Sequence, residues 1–111
     1  MDEIAFRLDV LARRAGAGIE HTRRHSGWAY APKSRLRDVY SKVYKELNGK
    51  EPIYEGMHAG LECGVMSGHI PGMDAIAIGS RALGSHTPQE MMDIPDLART
   101  LELVKRVLEQ L

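Results

Sequence analysis

The sequence predicts an α/β fold, and three observations predict it. Stretches with helical spacing of apolar residues alternate with short strand-like stretches, in the order helix, strand, helix, strand, helix, strand, helix. The run MDAIAIG, residues 73–79, is short and mostly apolar, as in a strand covered on both faces of a parallel sheet. A length of 111 residues suffices for one small domain with a modest core.

Residues 2–15 read as the first helix. Ile4, Leu8, Leu11 and Ala15 fall on one helical face, and Asp2 and Glu3 suit the positive N-terminal end. The glycines of GAG, residues 16–18, stop it. IEHTRRH, residues 19–25, has a rough period of two and reads as an edge strand. SGWAYAPKS is a connector, in which Pro32 disfavours helix at Ala31. Residues 35–47 give the clearest helix: Leu36, Val39, Tyr40, Val43, Tyr44 and Leu47 share a face, Ser34 is a natural N-cap, and Asn48-Gly49 a natural stop. The tyrosines read as packing residues.

PIYEGM, residues 52–57, reads as a short strand, and HAGLECGVMSG, residues 58–68, as a turn into a short helix. After the strand at 73–79, SRALGSHTPQEMMD reads as loop. The last helix begins around Pro95, a good first-turn residue. Leu97, Ala98, Leu101, Val104, Leu108 and Leu111 form its expected buried stripe, and Lys105 and Arg106 suit its C-terminal end.

Fifteen Lys and Arg balance fifteen Asp and Glu. That argues against a general nucleic-acid binder, which needs a basic excess. Locally, Arg13, Arg14, Arg23, Arg24, Lys33, Arg35 and Arg37 form a basic stretch, read as a solvated face with anion binding as the competing role. One Cys cannot form an internal disulfide, so a reducing, cytoplasmic setting is expected. No run of 18 apolar residues predicts a membrane span. MDEIAFRLDV has no signal-peptide core and reads as a helix already under way.

Candidate chemistry centres on HAGLECG, residues 58–64, and GSHTPQE, residues 84–90. Cys63 needs a nearby base to be a nucleophile; His58 is close only in sequence, and a packed, small apolar residue is the plainer reading. Glu62 sits in the first turn of a helix entered through Gly60, where unpaired N–H groups can meet a ligand carboxylate. Glu62 can instead stabilise its own helix; the residues leave both open. His21, His25 and His69 read as ordinary surface histidines. His86 lies on a loop after a buried strand, where open α/β sheets place their sites.

Taken together, HAGLECG, then PGMDAIAIGSRALGSHTPQE, then a closing amphipathic helix resemble the C-terminal end of the aminoacyl-histidine dipeptidases (Xaa-His dipeptidases, peptidase D), within the di-zinc exopeptidases. HSGWAYAPKSRLRDVYSKVYKELNGKEP and LARRAGAGIEH extend the resemblance upstream over nearly the whole chain. There are two departures: His25 and Ser26 stand where the family usually has Tyr-Pro, and Gln89 where it often has Asp or Asn.

The resemblance implies part of a di-zinc exopeptidase catalytic sandwich preceded by the last helix and strand of its inserted lid domain. Residues 1–31 would be the end of that lid, or dimerisation, domain, and residues 32–111 the C-terminal part of the catalytic domain. It implies that His86 binds zinc and that Ala59, Gly60, Leu61 and Glu62 line the substrate pocket. The reaction implied for the intact enzyme is hydrolysis of Xaa-His dipeptides, carnosine-like, by metal-activated water with two zinc ions. The remaining ligands and the general-base Glu belong to the family's N-terminal half, which no segment here resembles.

The expected partners are a dipeptide, the missing N-terminal half and a second copy of the chain, with neither nucleic acid nor membrane. The chain alone is expected to be inactive and not to retain zinc. The competing reading is a standalone α/β binding or assembly domain derived from the peptidase. A Cys63-dependent hydrolase is a third.

Overall fold

A computed structural model describes residues 2–22, 27–57 and 59–111. The chain forms helix α1 (Asp2–Arg14), helix α2 (Arg35–Asn48), helix α3 (Glu62–His69), strands β1 (Ala82–Leu83) and β2 (Met91–Met92), and helix α4 (Ile94–Leu108). This mixture of helices with a small sheet is compatible with the α/β class. All four predicted helices form, within a residue or a few of the predicted bounds.

The caps explain those bounds. The Ser34 hydroxyl accepts the Arg37 N–H at the start of α2, and Gly49, at φ 70°, closes its end. Gly16, at φ 67°, ends α1, where Ala17 N–H returns to Ala12 O at 2.9 Å. Asp93 caps α4 by accepting the Asp96 N–H at 3.0 Å, and Pro95 occupies the first turn. These positions favour a backbone group that the helix itself leaves unsatisfied or a φ that glycine alone adopts cheaply.

The core lies between α2 and α4. Val43, Leu103 and Val107 are buried there, and Leu36, Val39, Tyr40 and Tyr44 pack around them. Burial raises the Tyr40 phenol above its ordinary pKa, with the neighbouring Tyr44 and Tyr54 adding to it. Side chains clasp the pair at its edge: Lys42 donates to the Gln110 side chain at 3.0 Å, and Arg35 donates to the Leu111 main-chain oxygen.

Three expectations are corrected. The stripe predicted to be buried on α4 is largely exposed at Leu97, Leu101, Leu108 and Leu111; the face that meets α2 is instead that of Leu103 and Val107. Helix α4 is apolar on more than one side, and the longer stripe in the sequence is not the side that finds α2. The predicted strands at 19–25, 52–57 and 73–79 form no ladder among their described residues. An extended segment becomes a strand only when a partner backbone takes its hydrogen bonds, and the described residues bring none alongside. Arg23, Arg24 and His25 of the first segment lie outside the described residues. Finally, the segment read as loop carries the sheet that does form: β1 and β2 pair antiparallel, Ala82 with Met92 and Leu83 with Met91. Two-residue strands are too short for periodicity to reveal.

The molecule is open. Its radius of gyration is 19.0 Å, against about 13 Å for a compact chain of this length. Its accessible surface is 9349 Å², against about 6,100 Å² for a folded monomer of its mass. No residue of α1 is buried, and Ile4, Leu8 and Leu11, which share one helical face, are exposed. None of the described helices is long and apolar enough to cross a membrane.

Candidate functional site

His86 sits on the loop joining β1 to β2. Its backbone takes φ 66°, the one described non-glycine residue with positive φ. Such a conformation is costly for a residue with a Cβ and persists only where its surroundings impose it. The surroundings here are specific. The Thr87 N–H and hydroxyl both donate to Gly84 O, at 3.0 and 2.7 Å. The Gln89 N–H donates to the Thr87 hydroxyl at 3.2 Å, and the Glu90 N–H to Thr87 O at 3.1 Å. The His86 N–H itself donates to the Glu90 carboxylate at 3.2 Å. Gly84, at φ 63°, is closely approached: a Cβ there would come within 3.1 Å of Gln89 O and of the Thr87 hydroxyl, tighter than ordinary van der Waals contact.

The base of the hairpin is tied to α4. The Asp93 N–H donates to Arg81 O at 3.0 Å, and the Arg81 N–H to the Asp96 carboxylate at 2.6 Å. That backbone bond, with Arg99 beside it, holds the Asp96 carboxyl below its ordinary pKa. A shallow, open concavity of about 250 Å³ at this base is lined by Arg81, Leu83, Met91, Met92 and Asp93. His86 is therefore exposed at the tip of a small unit closed at both ends.

The second candidate is the entry to α3. Leu61 is its N-cap and contributes no side-chain hydrogen bond. Ala59, Gly60 and Glu62 are exposed, and Leu61 is half-buried. Glu62 is the first residue of the helix, as the sequence predicted. His58 lies outside the described residues. Cys63 is half-buried, its thiol 3.9 Å from Ile76 O, so it packs against the segment after the helix. No interaction among the described residues joins this entry to His86.

A third group was missed in the sequence. The Asp74 carboxylate accepts the Ser34 hydroxyl at 2.5 Å and the Leu36 N–H at 2.9 Å, fastening the turn after α3 to the start of α2. These two bonds, the hydroxyl's first, hold its carboxyl below the ordinary range. The N-cap was legible at Ser34; its long-range partner 40 residues away left no local signal.

The other described histidines are engaged as surface groups. His21 meets Asp9 at 2.8 Å, and His69, at the end of α3, meets Val65 O at 2.9 Å. Of the basic stretch, Arg37 donates to Ala31 O and Pro32 O, at 2.7 and 3.1 Å, and lies over the Tyr30 ring, securing the connector before α2. Among the described residues, no three His, Cys, Asp or Glu side chains converge to hold a metal ion.

Compared with known proteins, the chain is 31% identical over 110 residues to the cytosol non-specific dipeptidase of Escherichia coli (strain K12). It has a dipeptidase relative. The match takes in 99% of this chain and 23% of that enzyme, so the chain spans about a quarter of the relative's length. No protein-family model matches. Because the match runs along almost the whole chain, it includes the His86 hairpin and the entry to α3.

Proposed function

We propose that this chain is the C-terminal portion of a zinc-dependent dipeptidase acting on Xaa-His dipeptides. His86 is one zinc ligand, and Ala59, Gly60, Leu61 and Glu62 form a wall of the substrate pocket. The observation that carries this reading is the match to a dipeptidase along 99% of the chain. The resemblance of HAGLECG and the His-Thr-Pro loop to the aminoacyl-histidine dipeptidases supports the finer assignment.

The residues present fit one part of a metal site. His86 offers an exposed imidazole on a constrained loop, which suits a zinc ligand. A catalytic zinc takes about three protein ligands, so the others come from the portion of the enzyme that this chain does not resemble. Zinc, when bound, supplies Lewis acidity for hydrolysis of the peptide bond. In the substrate pocket, either the N–H groups at the entry to α3 hold the substrate carboxylate or Glu62 meets the dipeptide's amine.

The open shape supports the partners. About 3,000 Å² of surface beyond that of a compact monomer leaves α1 and the outer face of α4 to be covered by the N-terminal half and by a second copy. The relative is by name a cytosolic enzyme, which supports a cytoplasmic location. Alone, the chain is inactive.

The test is a chimera in which this chain replaces the matching segment of the Escherichia coli dipeptidase. The expected result is hydrolysis of β-alanyl-histidine by the chimera, its loss in His86→Ala, and none from the 111-residue chain alone. A folded chimera whose activity is indifferent to His86→Ala refutes the role of His86. A chimera that binds small carboxylates without hydrolysing any dipeptide favours a binding domain instead.

A further inference from the structure

We propose that Glu90 is a positioning residue for His86: its carboxylate accepts the His86 N–H and holds that residue in the left-handed conformation from which the imidazole is presented. The proposal rests on the reading of His86 as a metal ligand.

The loop separates two tasks. Thr87 closes it, with its N–H and hydroxyl on Gly84 O, its hydroxyl under the Gln89 N–H and its carbonyl under the Glu90 N–H. These bonds bracket His86 without touching it. The bond that reaches the His86 backbone comes from Glu90 Oε2 at 3.2 Å. The acceptor is a charged carboxylate, on an exposed bond of ordinary length. It falls on the one described non-glycine residue whose backbone needs support, at φ 66°. A metal ligand gains most when its orientation is fixed before the metal arrives, which is the general office of groups behind a ligand.

The experiment is amide hydrogen exchange by NMR on the ¹⁵N-labelled full chain, as wild type, Glu90→Ala and Glu90→Gln. In Glu90→Ala the His86 amide exchanges about tenfold faster, the factor expected for losing a hydrogen bond to a charged group. The His86 carbon shifts leave the left-handed range at the same time. The Thr87 and Gln89 amides and those of α2 and α4 keep their rates, which separates positioning from support of the fold. Glu90→Gln, whose amide oxygen can accept the same bond, restores the His86 rate to within about threefold. An unchanged His86 amide in Glu90→Ala, or joint loss at His86, Thr87 and Gln89, overturns the proposal.

The zinc content of the chimera tests the underlying reading, because the described residues of the chain alone supply too few ligands to hold the metal. Stoichiometric zinc in the chimera, lost in His86→Ala, is the expected result. Zinc retained in full by His86→Ala overturns the ligand reading, and with it the purpose of Glu90, even where the amide depends on Glu90. Zinc lost in His86→Ala beside an amide indifferent to Glu90 overturns the positioning role alone.

Discussion

Leu103→Ala and Leu101→Ala make a paired test of which side of α4 is the core. Leu103 is 7% exposed and packs with Val43 and Val107, whereas Leu101 is 55% exposed. Removing a buried leucine side chain costs about 2–5 kcal/mol, with the lower end where neighbours can collapse into the space. Two helices with much of their surface open to solvent can collapse, so Leu103→Ala is expected to cost about 2–3 kcal/mol. Leu101 buries a little under half its surface, so its truncation costs about 1 kcal/mol or less. Both substitutions keep a good helix former, which leaves packing to decide the difference. The assay is urea unfolding of the chain followed by helical circular dichroism, with the two variants compared at equal protein concentration. Leu103→Ala should lower the midpoint two- to threefold more than Leu101→Ala. Equal effects, or a larger effect at Leu101, would refute the helix pairing described above and restore the stripe expected from the sequence.

Further outcomes follow from the caps and the hairpin. Gly84→Ala places a Cβ where φ is 63° and where Gln89 O and the Thr87 hydroxyl stand 3.1 Å away; it should cost about 1–2 kcal/mol from the backbone alone and abolish protection of the Thr87 amide, measured by hydrogen exchange. Ser34→Ala removes the N-cap of α2 and should cost about 1 kcal/mol. Because Ser34 also donates to Asp74, the double variant with Asp74→Ala should cost less than the sum of the singles in a denaturation cycle. The carboxyls of Asp74 and Asp96 both titrate lower in the folded chain than their ordinary value. Such groups contribute stability that is present above the unfolded pKa near 3.9 and is lost as pH falls through the folded pKa. Protection of the Leu36 and Arg81 amides should therefore hold at neutral pH and fall below about pH 4, as read by exchange across a pH series.

How much of this was legible in the sequence depended on whether the cause was local. Ser34, Gly16, Gly49 and Pro95 act through their own backbone or the next turn, and the helices they bound were found. The strands failed because a ladder requires a second backbone: MDAIAIG has the composition of a buried strand, but it forms no ladder with any described residue. Composition does not tell which polypeptide will lie alongside. The face of α4 failed for a related reason, since periodicity identifies an apolar side but not the helix that covers it. In the site, the His86 loop was located by residue type and by family resemblance. Its left-handed backbone and the Glu90 bond arise from three-dimensional closure of the hairpin, which residue types alone do not announce.

The central claim is that this chain contributes His86 to a zinc site completed by another part of the enzyme. The most direct measurement is the zinc content, after dialysis, of the chimera with the Escherichia coli dipeptidase, with and without His86→Ala. The account predicts stoichiometric zinc in the parent chimera and a loss of zinc in the variant, with correctly folded protein in both. Zinc retained in full by His86→Ala would contradict it.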